Sequence, residues 1–303
     1  MVYYPLAGAV TYAILRKVFF NTPVWINIQD LSAEAAEAAE ITNICFINRL
    51  FKKIQNFLFN HANLLTSISP IMVDRLKKIQ KHNKKIEYLP NWVNCSLSEC
   101  IKNLKDKNKK NFVISNPLKL LYAGNIGNKQ DLLRLCHLFL ESKVNFSFNI
   151  YGNGSKAREI SKFVNTIRDK RFKFGPFLEE LEFAQELYNA DFYVITERTN
   201  IGASFIPSKL IPGIMSETPI LAVCDDKSPL GQEMQKAKIG PFFTWSQIEK
   251  IPEFLESIYK CKYKYLNWVE NAKSRAGFYD RERILRQIQE YLVNLALNSP
   301  RDN

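Results

Sequence analysis

Residues Asp191 to Val223 read DFYVITERTNIGASFIPSKLIPGIMSETPILAV. Two apolar, β-branched runs, Asp191 to Thr196 and Pro219 to Val223, bracket a loop of Gly, Ser, Asn and Pro followed by a helical pattern from about Ser208 to Ser216. That is the grammar of a strand, loop, helix and second strand. In an open parallel sheet the loops leaving the carboxyl ends of strands line the ligand crevice. This loop carries Ser204, Ser208 and Lys209 at the start of a helix, where free amides and the helix dipole favour an anion. It is read as a phosphate-facing loop.

Outward from this stretch the alternation is regular. Strands are expected at Lys119 to Ala123, Phe146 to Tyr151 and Arg171 to Phe174, with helical patterns at 131–141, 156–166 and 178–190 between them, which predicts crossover helices and a mainly parallel sheet. Further helices are expected at 246–259, 264–276 and 281–297, the last starting after Asp280, a fair N-cap. The first of these strands ends in Gly124-Asn125-Ile126-Gly127-Asn128-Lys129, the second in Gly152-Asn153-Gly154-Ser155, the third in Gly175-Pro176. Glycines at strand-to-helix turns let backbone approach a ligand closely, and the next helix start can hold a diphosphate. One such turn is as common in plain β/α loops as in sites. Three in succession on one edge of a sheet weigh more, with tight turns alone as the alternative reading.

Upstream the alternation is shorter. Val24 to Ile28 reads as a strand ending in Gln29-Asp30-Leu31, AEAAEAAE at 33–40 as helix, Asn48 to Phe59 as helix, Asn63 to Ser67 and Ile86 to Leu89 as strands, and Pro70 as the opening of another helix. Residues 96–116 turn rich in lysine and asparagine and are read as a linker whose lysines are solvated. The expected division is thus 1–95, a linker at 96–116, and 117–280.

Composition narrows the class. At 303 residues, 46% hydrophobic and 24% charged, the chain is globular and long enough for two domains, and a net charge of +12 attracts anionic partners without selecting one. The six cysteines are scattered without a Cys-x-x-Cys pair, so reduced thiols in a cytosol are expected; His61, His82 and His137 have no zinc spacing. The opening MVYYPLAGAVTYAILRKVFF has its charges, Arg16 and Lys17, after the apolar run, unlike a signal peptide, and is short for a membrane span. Two readings stand: a domain helix, or an interfacial helix resting on a membrane with Arg16 and Lys17 at the headgroups.

The succession Tyr-Ala-Gly-Asn-Ile-Gly-x-Lys-Gln, Ile-Tyr-Gly-Asn-Gly-Ser, Phe-Gly-Pro-Phe with Leu-Tyr-Asn-Ala-Asp, Ile-Pro-Ser-Lys-Leu and Thr-Pro-Ile-Leu-Ala resembles the carboxyl-terminal domain of GT-B glycosyltransferases of family 4. It looks closest to the colanic-acid and exopolysaccharide branch typified by WcaI. The resemblance covers Leu118 to Leu297 well. Upstream, Ile28-Gln29-Asp30-Leu31, Leu65 to Ser69 and Leu89 to Val93 match the second half of that family's first domain more weakly.

The resemblance implies an α/β, GT-B-like fold of two Rossmann-like domains with parallel sheets, the first incomplete because the chain begins inside it. The 281–297 helix would cross back onto that first domain. It implies a sugar-nucleotide donor, UDP- or GDP-linked, with Gly124, Asn125 and Gly127 at the diphosphate, Lys129 as a nearby cation, Gly152 and Gly154 lining the nucleoside pocket, Gly175 and Pro176 beside the base, and Ser208 and Lys209 on phosphate oxygens. No metal or other cofactor is expected, since basic groups and helix ends neutralise the leaving diphosphate. Lys209 and Asp30 are the catalytic candidates. Asp30 has two readings, an acceptor contact or a turn cap. Two departures stand out: Ser204 and Pro212 occupy the positions of the family's Glu-x7-Glu pair, whose second member grips the donor ribose, and Glu217 replaces a usual Gly.

The expected function is a glycosyltransferase, retaining by family habit, moving a sugar to a lipid-linked or polysaccharide acceptor, cytoplasmic or peripheral at the inner face of a membrane. The alternative is a partner-dependent or degenerate donor-binding subunit completed by a separate chain. A nucleic-acid binder ranks third, because the lysines are dispersed and no reading module is present.

Overall fold

The computed structural model describes residues 1–30, 45–79, 85–107, 113–200 and 206–297. The chain divides into two units, one of Met1–Trp92, Asn200–Ile206 and Asp280–Asn303, the other of Val93–Thr199 and Pro207–Tyr279. The helical pattern at 33–40, His82 and Ser204 lie outside the described residues.

The first unit is a four-stranded parallel sheet, β1 (Val2–Tyr4), β2 (Trp25–Ile28), β3 (Leu64–Ser67) and β4 (Ile86–Tyr88), in sequential order. The opening residues, read only as helix, form β1 before helix Ala7–Phe20 begins; three residues are too few to display a period of two. Side chains alternate across the sheet as a strand requires. Ile26, Ile28 and Leu65 point to one face, where helices Ala7–Phe20, Cys45–His61 and Pro70–Ile79 bury Val10, Ile14, Phe59 and Met72. Trp25, Leu64 and Leu89 share a second cluster with Ile284, Ile288 and Tyr291 of helix Arg281–Leu297. The upstream motifs interlock at the carboxyl ends of these strands. Gln29 and Asn91 exchange side-chain hydrogen bonds of 3.1 and 2.7 Å, and Ser67 Oγ donates to Ile28 O at 3.0 Å.

The second unit holds six parallel strands in the order β10-β9-β8-β5-β6-β7, namely β5 (Leu118–Ala123), β6 (Phe146–Tyr151), β7 (Phe172–Gly175), β8 (Phe192–Thr196), β9 (Ile220–Val223) and β10 (Phe242–Phe243). The strands expected from Pro117 onward are therefore present, each within a residue or so. Strand order runs one way from β5 through β7 and the other way from β8 through β10, so β5 and β8 flank a topological switch point, where open α/β sheets bind ligands.

Three expectations need correction. Residues 96–107 are not linker: helix Cys95–Lys107 buries Leu97 and Ile101 and packs against helix Glu180–Asn189. The apolar spacing Leu97, Cys100, Ile101, Leu104 is helical, but lysine and asparagine dilute it. Helix Pro229–Ala237 and β10 were not anticipated, although Ser228-Pro229 is a recognisable start: Ser228 Oγ accepts from Gly231 N at 3.0 Å and Pro229 sits in the first turn. The helix expected from Ser208 is shorter, Leu210–Met215.

Two polar residues fix how the elements meet. The buried Asp191 carboxylate accepts from Ser115 N (3.0 Å) and Lys119 N (2.7 Å), and Tyr265 OH donates to its carbonyl at 3.1 Å. Burial raises its pKa, opposed by those amide bonds. Glu217 adopts φ +57°, a conformation that glycine takes without strain, and its carboxylate pairs with Lys105 of helix Cys95–Lys107. A left-handed residue with a Cβ costs about 1 kcal/mol, and a partly exposed ion pair returns about as much or less. Glu217→Ala, which keeps the strain and loses the pair, is expected to lower stability, and Glu217→Gly to be about 1 kcal/mol more stable than Glu217→Ala. Urea unfolding of the two variants checks this; equal midpoints would contradict it.

Candidate functional site

The loops after β5 and β6 are held against each other by backbone. Gly124 N donates to Tyr151 O at 2.9 Å, Ile126 N to Asn153 O at 2.8 Å, Lys156 N to Ile126 O at 2.9 Å and Gly152 N to Gly175 O at 3.0 Å. Gly152, at φ +154°, leaves no room for a side chain, since a Cβ there would lie 1.9 Å from Gly124 O. At Gly154 a Cβ would lie 2.4 Å from Ile126 O. Both glycines are thus accounted for by loop packing, the alternative the sequence left open for these turns. The Gly127 amide is already occupied by Gln130 Oε1 at 2.8 Å.

Gly124 differs. Its Cβ position, at φ +124°, faces the Lys209 side chain, with Lys209 Cε 2.8 Å away. Lys209 reaches across the switch point from the loop after β8. Its ammonium lies 3.6 Å from the centre of the Tyr122 ring and donates to Asn125 O at 3.1 Å. Tyr122 OH donates to the same carbonyl at 2.6 Å. Desolvation pushes the Lys209 pKa down to about 7. Of the predicted residues, then, Gly124, Asn125 and Lys209 converge. Ser208 is exposed and precedes a helix of only six residues, so the positive charge here is a side chain and not a long helix dipole.

Gly152, Gly175 and Pro176 come together elsewhere on the same edge. With Asn153, Arg158 and Phe177 they line a recess of about 600 Å³. Lys129 belongs to the loop after β5, where its carbonyl accepts from Arg198 N at 2.7 Å. Asp30, half-buried, follows β2 in the first unit, so the two catalytic candidates, Asp30 and Lys209, stand in different units.

Glu197, one residue past β8, escaped the sequence reading. Its backbone is fixed on both sides, by Glu197 N donating to Val223 O (2.8 Å) and Trp245 Nε1 donating to Glu197 O (2.6 Å). Its carboxyl is buried with Oε1 lacking a hydrogen-bond partner. Burial raises its pKa to about 8; a hydrogen bond from Ser228 and the charge of Lys129 act against this, and Asp225 adds to it. The only signal in sequence is a carboxylate closing an apolar strand. Because the folded pKa stands above that of a free glutamate, the protonated form favours folding. This contribution is complete below about pH 4 and is lost as pH rises through about 8. Glu197→Gln is expected to flatten the fall in stability between pH 6 and pH 9, measured by urea unfolding across that range; an unchanged slope would refute the buried acid.

No protein-family model matches the chain, and no curated protein matches its sequence. Solved structures do match. HepE of Anabaena, crystallised with UDP, superposes with a TM-score of 0.75 at 14% identity over 97% of this chain and 78% of its own. Sucrose-phosphate synthase of Thermosynechococcus elongatus gives 0.70 at 13% over 97% and 79%. The lipopolysaccharide outer core galactosyltransferase WaaB in its apo form gives 0.59 at 12% over 95% and 80%. At such identities the likeness establishes the fold: α/β with parallel sheets, that of the GT-B glycosyltransferases.

Proposed function

We propose that the protein is a glycosyltransferase that takes its sugar from a UDP-linked donor, with GDP as the competing base. The observation that carries this is Lys209, a desolvated ammonium held beside Gly124 and Asn125 at the β5/β8 switch point. A cation so placed gains most from a multiply charged ligand that replaces its lost hydration, and a donor diphosphate is such a ligand. The recess at Gly152, Gly175 and Pro176 is open on the same sheet edge for a nucleoside. Crystal structures of the structurally similar HepE contain UDP, UDP-glucose, and UDP with glucose, which supports the choice of base.

In the proposed reaction the bond between the anomeric carbon and the β-phosphate oxygen breaks, and a bond to an acceptor hydroxyl oxygen forms. The hydroxyl proton passes to the departing diphosphate. Lys209 stabilises the negative charge developing on the leaving group, Gly124 and Asn125 shape its seat, Lys129 is a further candidate cation, and no resident metal is invoked. Asp30 is assigned to the acceptor side. Family 4, a WcaI-type role in cell-surface glycan synthesis, retention of configuration, transfer of a hexose and a lipid-linked or polysaccharide acceptor complete the reading. The resemblance to family 4 favours a second reading, a donor-binding subunit that works with another chain, because it would put Pro212 at the position of that family's ribose-binding Glu.

Calorimetry with UDP, UDP-glucose and GDP tests the donor site, and product analysis with UDP-glucose tests transfer. Lys209→Met is expected to weaken UDP binding by tenfold or more, about 1.4 kcal/mol. Since diphosphate favours charged Lys209, binding at pH 8 should take up close to one proton, and affinity should fall as pH rises above about 7. No UDP or GDP binding would remove the donor assignment; binding without transfer would favour the second reading.

A further inference from the structure

Helices Ala7–Phe20 and Cys45–His61 of the first unit lie against one another on one face of its sheet, and Lys17 Nζ ties them by donating to His61 O at 2.8 Å. Each is apolar on two faces. The inward faces supply Val10, Ile14, Leu58 and Phe59 to the core. The outward faces carry Tyr12, Leu15 and Phe19 on the first helix and Leu50, Ile54 and Phe57 on the second, at the spacing of one helical stripe each. Tyr12 is 64% exposed, Phe19 73% and Phe57 56%. Val18 and Phe20 extend the first patch. A core-packing helix needs one apolar stripe, so the second requires a separate cause.

The charges alongside select the partner. Within these two helices the sequence has Arg16, Lys17, Arg49, Lys52 and Lys53, and neither Asp nor Glu. Arg16, Arg49 and Lys53 are exposed, and the Arg16 guanidinium lies 5.0 Å from the Phe20 ring centre, so a base directly borders the apolar patch. Aromatic and aliphatic side chains interleaved with bases, without a single acid, complement an anionic lipid surface, whose headgroups meet the bases while the rings enter the acyl boundary. No helix among the described residues is long and apolar enough to cross a membrane, so contact would be made lying on the surface.

We infer that the outward faces of helices Ala7–Phe20 and Cys45–His61 form a docking surface for an anionic phospholipid bilayer. The surface lies wholly in the first unit and does not rest on the donor-site reading.

Co-sedimentation of the full chain with vesicles of phosphatidylcholine and phosphatidylserine, and with phosphatidylcholine alone, tests it at low and high salt. Binding should require phosphatidylserine and weaken with salt. Phe19→Ser with Phe57→Ser should reduce partitioning by tenfold or more, and Arg16→Ser with Lys53→Ser by about fivefold per base. These positions are exposed, so circular dichroism and UDP calorimetry should read as for the unaltered chain. Lys209→Met should leave vesicle binding unchanged, which separates failure of the donor site from failure of this surface. Absence of binding to the anionic vesicles, or binding indifferent to both pairs of substitutions, overturns the inference. So does sedimentation showing a dimer that the phenylalanine substitutions dissociate, which would make a second copy the occupant.

Discussion

The carboxyl edge of the larger sheet depends on one close approach, the carbonyl of Gly124 lying where residue 152 would carry a Cβ. With no side chain there, the loops after β5 and β6 share backbone hydrogen bonds from Gly124 through Lys156, and the turn that follows β7 joins through Gly152 and Gly175. Three loops become one rigid shelf. Its rigidity is what allows Tyr122 and Asn125 to present a ring face and a carbonyl to Lys209 in fixed positions, so that little ordering remains for a ligand to bring about.

That shelf changes the electrostatics the sequence suggests. A glycine-rich, parallel α/β edge is ordinarily positive because helix starts point at it, yet here the helix after β8 has six residues and the cation beside it is a lysine under desolvation. At the same edge Glu197 is buried and its pKa is displaced upwards, so that it too is driven towards its neutral form. Near neutral pH both groups sit close to their charge transitions. The site at rest therefore carries less charge than its composition implies, and an arriving anion would set the protonation of Lys209 instead of meeting a charge already in place.

The fold was legible where the period of the pattern survived. β5 to β9 follow from β-branched and aromatic runs bounded by glycine turns, whereas the strand order that creates the switch point emerges only from the pairing of the strands. What was missed has specific causes. β1 is three residues long, helix Cys95–Lys107 hides its stripe among lysines, and Glu197 gains its character from burial, which its neighbours in sequence do not announce. At the site, the structure accounts for several of the glycines by packing. Gly152 and Gly154 are glycines because another loop occupies the space, whereas at Gly124 the space is taken by the Lys209 side chain.

Structures only 12–14% identical to this chain share its fold, so the fold does not demand particular side chains at most positions. Position 217 has a left-handed backbone although its residue is Glu, and that Glu pairs with Lys105 on a neighbouring helix. Strand interiors likewise ask only for a side chain that fills a pleated, buried surface. Backbone conformation is thus what such a fold demands, and side-chain identity is the adjustable quantity. A ligand contact that is made by a side chain is therefore the feature that a shared fold carries over least.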